Sequence, residues 1–307
     1  MAIASATVVY NKYGHVADMT VLANGHRYVV RPNYSNQGAG APSNKIQLRN
    51  IQITAVGTHL LQGDGRLIAD ATALSKQVFP KTPEQYTQPG LLRSKGGILL
   101  GDDRVLWIFS WDDILTMSEP SGETFAVELW KGDNNQIKAG RVAPLKGLSS
   151  HIVFRGVVTY GMTLAMVTYG ISLFDTIGWE EKQALTDGDP CVGGTNRVYW
   201  SSQGNIYRYD PDSGKFVLKG NPDLGYLTDS YTVGGEDVLV FQNGLYTPDA
   251  HGLYVFPGPR GYQLAFYPIG DVALGFVSPA FPAGSPGILL APHSLQPLTM
   301  VTASKPN

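Results

Sequence analysis

The side chains with the clearest capacity for acid–base chemistry are pairs of adjacent acids. Three such pairs occur, namely Asp102-Asp103, Asp112-Asp113 and Glu180-Glu181. Two carboxylates can cleave a glycosidic bond when they flank it, but neighbours on a strand point to opposite faces of the sheet. We therefore assign these pairs to solvated loops and not to a catalytic site.

A short Asp-rich segment, Asp210-Pro-Asp212-Ser-Gly214, resembles the beginning of a calcium-binding loop. Such a loop needs a bidentate Glu at its twelfth position, where this chain has Asn221. An aspartate that accepts hydrogen bonds from its own turn explains the same residues. We favour the turn here, and equally for Asp187-Gly-Asp-Pro190.

The remaining nucleophiles and metal ligands form no local motif. The single cysteine, Cys191, has no identifiable base near it in the sequence, and it excludes an intrachain disulfide. No histidine pair has i, i+2 or i, i+4 spacing; the six are His15, His26, His59, His151, His251 and His293. Gly-x-Ser-x-Gly and phosphate-loop motifs are absent from the sequence. We predict no catalytic residue, no metal ligand and no cofactor.

Composition limits the class of partner. The chain has 307 residues, a formal net charge of −2 and 16% charged residues. Nucleic acids and anionic membranes favour concentrated Lys and Arg, so neither is expected as the main partner. A secretion signal has basic residues before its apolar stretch, and the N-terminus has none there, so no secretion signal is predicted. The uncharged stretch 156–174 contains too many Thr, Gly and Tyr residues for a membrane span.

Strands must position whatever site exists, because long helical periodicity is missing. Short runs rich in Val, Ile, Tyr, Phe and Trp recur between Gly, Asn, Asp and Pro residues. Examples are 104–109, 125–130, 197–200 and 238–241. Only 83–86 and 111–117 are helix candidates, so the sequence predicts an all-β chain.

Regular turn spacing suggests how the strands are grouped. Asp64-Gly65 follows Asn24-Gly25, and Asn243-Gly244 follows Gln203-Gly204, each about 40 residues later. A repeat of about 40–50 residues holding four short strands is typical of β-propeller blades. The length then predicts one propeller of six or seven four-stranded blades.

The segment 196–218 is the most blade-like stretch. It has a strand, a Gly turn, a second strand ending in Tyr-Asp-Pro, a tight Asp-Ser-Gly-Lys turn and a third strand. This order resembles the generic repeat of kelch-like propellers, although the Gly-Gly pair of kelch and the Trp-Asp dipeptide of WD repeats are missing from it. The resemblance implies an architecture and not a particular family.

One domain over 1–307 is predicted, because no linker is long enough to separate two. An irregular loop is expected at 33–45, and short strands joined by rigid loops are expected in the Pro-rich stretch 277–297. A ring of blades needs a latch, since an open sheet edge exposes unpaired backbone groups. We expect the terminal segments 6–10 and 298–302 to pair in one blade.

Aromatic side chains are the candidates for binding, since Tyr and Trp supply contact area at low entropic cost. Packing between blades is the competing interpretation. The residues are Tyr199, Trp200, Tyr207, Tyr209, Tyr226, Tyr231 and Tyr246.

Three functional hypotheses follow. The first is a non-catalytic scaffold that binds other protein subunits in a homo- or hetero-oligomer. Sparse Lys and Glu with abundant Gly, Thr, Asn and Tyr resemble phage tail or capsid-associated proteins, so we predict a virion component, or otherwise a cytoplasmic protein. The second is a lectin or host-surface adhesin that binds glycans. The third is a hydrolase or lactonase with a site assembled on the propeller axis.

Overall fold

A computed structural model describes residues 3–10, 16–23, 25–30, 43–78, 92–100, 103–111, 124–145, 156–256, 265–269, 271, 273–277 and 287–304. These residues are almost entirely β-structure, as predicted. In chain order the strands are β1 (Ile3–Tyr10), β2 (Val16–Ala23), β3 (His26–Val30), β4 (Lys45–Leu48), β5 (Ile51–Val56), β6 (His59–Gln62), β7 (Leu67–Asp70), β8 (Leu92–Leu99), β9 (Arg104–Trp111), β10 (Thr124–Lys131), β11 (Ile137–Pro144), β12 (Gly156–Tyr160), β13 (Thr163–Val167) and β14 (Ile171–Asp175). They continue with β15 (Glu181–Leu185), β16 (Asp189–Val192), β17 (Val198–Ser202), β18 (Asn205–Asp210), β19 (Lys215–Gly220), β20 (Leu227–Val233), β21 (Glu236–Phe241), β22 (Gly244–Thr247), β23 (Gly252–Val255), β24 (Ala265–Ile269), β25 (Ala273–Val277), β26 (Gly287–Leu290) and β27 (Pro297–Ser304).

The strands form repeated antiparallel sheets. Five sheets have four strands each, in the orders β4–β7, β8–β11, β12–β15, β16–β19 and β20–β23. The four strands β24–β27 join β1–β3 in a seven-stranded sheet. An all-β chain of repeated four-stranded sheets is the architecture of a propeller. The number of blades and the closure of a ring stay predictions.

The chain divides into two compact units, 40–186 and 1–39 with 187–307. In the unit 40–186, strand β9 shows why its sheets stack. Val105, Trp107 and Phe109 enter one buried cluster with the β4–β7 sheet, and Leu106 and Ile108 enter another with the β12–β15 sheet. A strand buried on both faces reads as a continuous apolar run, which β9 does.

The second unit, 1–39 with 187–307, repeats this arrangement at β21. Val238 and Val240 pack on one side of the β20–β23 sheet, and Leu239 and Phe241 pack on the other. The predicted single domain over 1–307 stays a prediction.

The terminal strands pair within the second unit. Strand β1 runs parallel to β27, with Thr7 opposite Thr302 and Val9 opposite Ser304. The predicted pairing of the two terminal segments is therefore present. It joins seven strands into one sheet and not four into one blade, because β1 also pairs with β2 and β27 with β26.

Helix α1 (Ala71–Val78) was not predicted. The Asp70 carboxylate accepts a hydrogen bond from the Thr72 backbone N–H at 2.9 Å, which satisfies one of the free N–H groups at the helix start. The predicted helix at 83–86 lies outside the described residues, and of the one at 111–117 only Trp111 is described, as the last residue of strand β9. Residues 33–42 and 278–286 of the two predicted irregular stretches also lie outside the described residues. Within the described ranges no helix has the length and apolar character to cross a membrane.

Candidate functional site

The seven aromatic residues proposed for binding do not share an exposed surface. Tyr226 is 69% exposed, and Tyr207 and Tyr231 are half-buried. The others are buried inside the sheets or between them: Tyr199, Trp200, Tyr209 and Tyr246. The seven aromatic residues therefore do not form a common binding face, and the prediction of one is corrected here. The four buried side chains occupy inward-facing positions, where stacked sheets bury large side chains.

The Asp210–Gly214 segment is a tight turn, as favoured from the sequence. The Asp210 carboxylate accepts hydrogen bonds from the Ser213 hydroxyl at 2.6 Å and the Asp212 N–H at 3.3 Å. The bond from Ser213 lowers the pKa of Asp210 below its ordinary value. The turn predicted at Asp187-Gly-Asp-Pro190 needs a correction: Asp189 and Pro190 lie in strand β16, and the Asp189 carboxylate accepts the Leu227 N–H at 3.2 Å, which ties β16 to the neighbouring strand β20.

Of the other candidates, Asp103 and Glu180 are exposed, as predicted, whereas Glu181 begins strand β15 and does not lie in a loop. The rest are buried or undescribed. Cys191 is buried in the cluster between the β16–β19 and β20–β23 sheets. His151, Asp102, Asp112 and Asp113 lie outside the described residues. Among the residues that are described, no three His, Cys, Asp or Glu side chains come together as metal ligands would.

Asp237 is the main buried charge of the second unit. Its side chain is fully buried, and it accepts hydrogen bonds from the Thr232 hydroxyl at 2.9 Å and the Tyr199 hydroxyl at 3.0 Å. Thr195 donates both its backbone N–H, at 3.2 Å, and its hydroxyl. Because Thr195 lies in the β16–β17 turn, Asp237 joins two neighbouring sheets.

A glycine pair lets this turn approach Asp237. A Cβ on Gly193 would clash with the Asp237 carboxylate, and one on Gly194 would clash with the Thr232 hydroxyl. The segment Val192-Gly193-Gly194 also recurs as Val233-Gly234-Gly235. This internal repeat is the signal in the sequence that points to the site, and no prediction was based on it.

Glu236 is the neighbour of Asp237 and points to the other face of β21. Its side chain is nearly buried, and it accepts the Ala250 N–H at 3.0 Å and contacts Nδ1 of His293. His293 lies in the turn between β26 and β27, in the sheet on that side. The adjacent acids thus bind turns on opposite sides, as the alternation of side chains along a strand requires. This pair was not among the adjacent acids predicted from the sequence.

The Tyr199 hydroxyl is held in its neutral form by this environment. Burial raises the pKa of Tyr199 well above its ordinary value, and the nearby Asp237 carboxylate raises it further. A neutral hydroxyl can donate to Asp237, so the two groups support each other.

Two arginines share one carboxylate at the edge of the same sheets. Arg197 contacts one oxygen of Asp249 at 2.6 Å, and Arg208 contacts the other at 2.7 Å. Burial alone would raise the pKa of Asp249, but the two guanidinium groups outweigh it and lower the pKa below its ordinary value.

We expect Asp249→Asn to remove part of the pH dependence of stability. The native pKa lies below the unfolded one, so the carboxylate stabilises the fold above about pH 4. That contribution is lost as the pH falls through the native pKa. In urea unfolding, the variant should lose about 1 kcal/mol or less at pH 7, since the group is partly exposed, and the difference should shrink below about pH 4. Asp212→Asn is the matched control, and a constant difference for Asp249→Asn across pH would contradict the assignment.

The outer strands of these two sheets carry exposed aliphatic side chains. On β19, Val217 is 42% exposed; on β23, Leu253 is 45% and Val255 is 58% exposed. Strand β21, in the middle of the β20–β23 sheet, is by contrast buried on both faces. Val217, Leu253 and Val255 therefore give the outer strands of these two sheets exposed apolar surface.

Comparison with known proteins gives no family. No protein-family model and no curated protein matches the sequence. A puromycin hydrolase mutant is 13% identical over the whole chain and 54% of its own length, with a TM-score of 0.40. Porphyromonas gingivalis dipeptidyl peptidase 4 is 8% identical over 97% of this chain and 50% of its own, with a TM-score of 0.47. The chain spans about half the length of each of these two.

Kluyveromyces lactis Hsv2p is 11% identical over 98% of this chain and 99% of its own, with a TM-score of 0.39. Similarities at this level carry no argument about activity. The repeated four-stranded sheets of the chain itself support the propeller-type architecture.

Proposed function

We propose that the chain is a non-catalytic scaffold that binds other proteins through the surfaces of its sheets. The observation that supports this is the use of its buried acids. Asp237 accepts hydrogen bonds from three residues of its own fold, and Glu236 binds two further turns. Side chains engaged in this way hold sheets together and have few lone pairs left for a substrate.

The exposed aliphatic side chains on β19 and β23 also support protein binding. Protein-binding surfaces are centred on apolar side chains with a polar rim. The proposal covers protein binding in general. The virion role predicted from composition has no support in the sheets or in the compared structures, and we do not propose it.

Catalysis by His293 is the second candidate function. Its Nδ1 contacts the nearly buried Glu236, while its side chain is 64% exposed. A carboxylate that orients an imidazole leaves Nε2 free to activate water, which is how a general base in a hydrolase works. Among hydrolytic reactions, this would suit the ester or lactone cleavage considered from the sequence.

A substrate screen on the full chain separates the two functions. We expect ester and lactone substrates to be hydrolysed no faster by the native chain than by His293→Ala. Native mass measurement on the same samples should show an assembly larger than the 33.2 kDa monomer. His26→Ala is the matched control for loss of a histidine. Turnover that disappears in a folded His293→Ala variant, but not in the control, would replace the scaffold with an enzyme.

A further inference from the structure

Strand β23 forms one edge of the β20–β23 sheet. Of the described strands, only β22 pairs with it. Just beyond its end, the Phe256 N–H donates to the Asn243 carbonyl on the β22 side at 2.9 Å. Successive residues of an antiparallel strand direct their N–H and C=O groups alternately towards the neighbouring strand and away from it. The backbone groups of Leu253 and Val255 therefore point outward from the sheet edge.

Hydrogen bonds and packing hold this edge in place. The Gly252 N–H donates to the Thr247 hydroxyl at 2.8 Å, and that hydroxyl donates to the His293 carbonyl at 2.7 Å. Tyr254 and Phe256 pack against the buried cluster that reaches strand β26. Because β23 is already ordered, another strand could pair with it at a small entropic cost.

The composition of β23 separates it from the last strands of the two preceding sheets. Strand β15 carries Glu181 and Lys182, and β19 carries Lys215 and Lys219. Charged side chains on an edge strand discourage other strands from pairing with it. Strand β23 contains neither a charged residue nor a proline, and its two outward-pointing residues have exposed aliphatic side chains. Its free backbone groups are suited to a further β-strand.

We propose that β23 pairs antiparallel with β23 of a second copy of the chain, around a twofold axis at Tyr254. Leu253 of each copy then lies opposite Val255 of the other, and the two residues exchange N–H···O bonds. Their aliphatic side chains fall on one face of the joined sheet and cover one another. The arrangement opposes no like charges, whereas the same pairing of β19 about its third residue would place Lys215 opposite Lys219.

This inference rests on the scaffold function, since it names one protein that the scaffold binds, and disulfide trapping tests its register. In the proposed pair, Leu253 and Val255 of different copies have Cα atoms about 5.5 Å apart, within the range of a disulfide. Two copies of the same residue lie more than about 7 Å apart, which is too far. We expect mild oxidation to cross-link a mixture of Leu253→Cys and Val255→Cys chains, and neither variant alone. The native Cys191 is buried.

Sedimentation of the native chain over a dilution series measures the same contact without added cysteines. We expect a dimer of twice the 33.2 kDa monomer mass. Val255→Lys should weaken dimerisation about tenfold or more, because its charge would be buried against Leu253 of the second copy. Val217→Lys is the matched control, since Val217 is an exposed valine on β19, and it should leave the dimer unchanged. Circular dichroism checks that both variants fold.

A monomeric native chain would overturn the proposal and leave the β23 edge to a strand of another protein. A dimer that Val255→Lys leaves intact would overturn it as well. So would a mixture of the two cysteine variants that cross-links no more than each variant alone. In each case the scaffold function itself would stand, because only His293-dependent turnover contradicts it.

Discussion

Asp237→Ala is expected to lower the free energy of unfolding by about 3–5 kcal/mol. This is the largest loss that we expect from removing a single polar side chain of the protein. The substitution leaves the Thr195 N–H and three hydroxyl groups, those of Thr195, Thr232 and Tyr199, without their common acceptor. Such buried donors lose their hydrogen bonds without regaining water. Urea unfolding of the purified chain measures the change in the free energy of unfolding.

Asp212→Ala is the control for that experiment, because Asp212 is an exposed aspartate in a nearby turn. Its loss should change stability by about 0.5 kcal/mol or less. If Asp237→Ala does not fold, Asp237→Asn keeps the volume and one acceptor oxygen and should give a smaller, measurable loss. A native-like stability for Asp237→Ala would show that the two sheets do not depend on this carboxylate.

Trp107→Ala should be similarly damaging in the other unit, by about 3–5 kcal/mol. Trp107 is fully buried in β9, and its indole N–H donates to the Ser94 hydroxyl at 2.6 Å. A Cβ on Gly97 would clash with the ring, so the neighbouring strand is shaped around it. Removing the side chain therefore leaves a cavity and an unpaired hydroxyl.

Trp130→Ala is the matched control in the same sheet. Trp130 is 38% exposed and its ring lies over Gly140 at the sheet surface. Because water already reaches part of the ring, its loss should cost about 1–2 kcal/mol. Equal losses for the two tryptophans would contradict the burial on which this prediction depends.

The prediction of β-structure was sound where strands carry long apolar runs between turn residues. The runs at 104–109 and 238–241 lie in β9 and β21. Helix α1 was missed because it is only 8 residues long, and its start depends on a local hydrogen bond that the Thr72 N–H donates to the Asp70 carboxylate.

The candidate site was harder to predict than the fold. Three pairs of adjacent acids were assigned to loops because neighbouring side chains on a strand face opposite ways. Glu236 and Asp237 do face opposite sides of strand β21, but this pair was not among the three. The aromatic candidates were chosen by type, but burial of Tyr199 and Tyr246 depends on which face of each strand meets the next sheet.

By itself the sequence determined the all-β class, the repeat of about four strands and the tight Asp210 turn, because these depend on neighbours within a few residues of each other. Tertiary structure alone decided that Asp237 meets a turn 42 residues away and that Arg197 and Arg208 meet the carboxylate of Asp249. Register and sheet stacking bring these groups together, and both depend on the packing of whole sheets, which no short segment encodes.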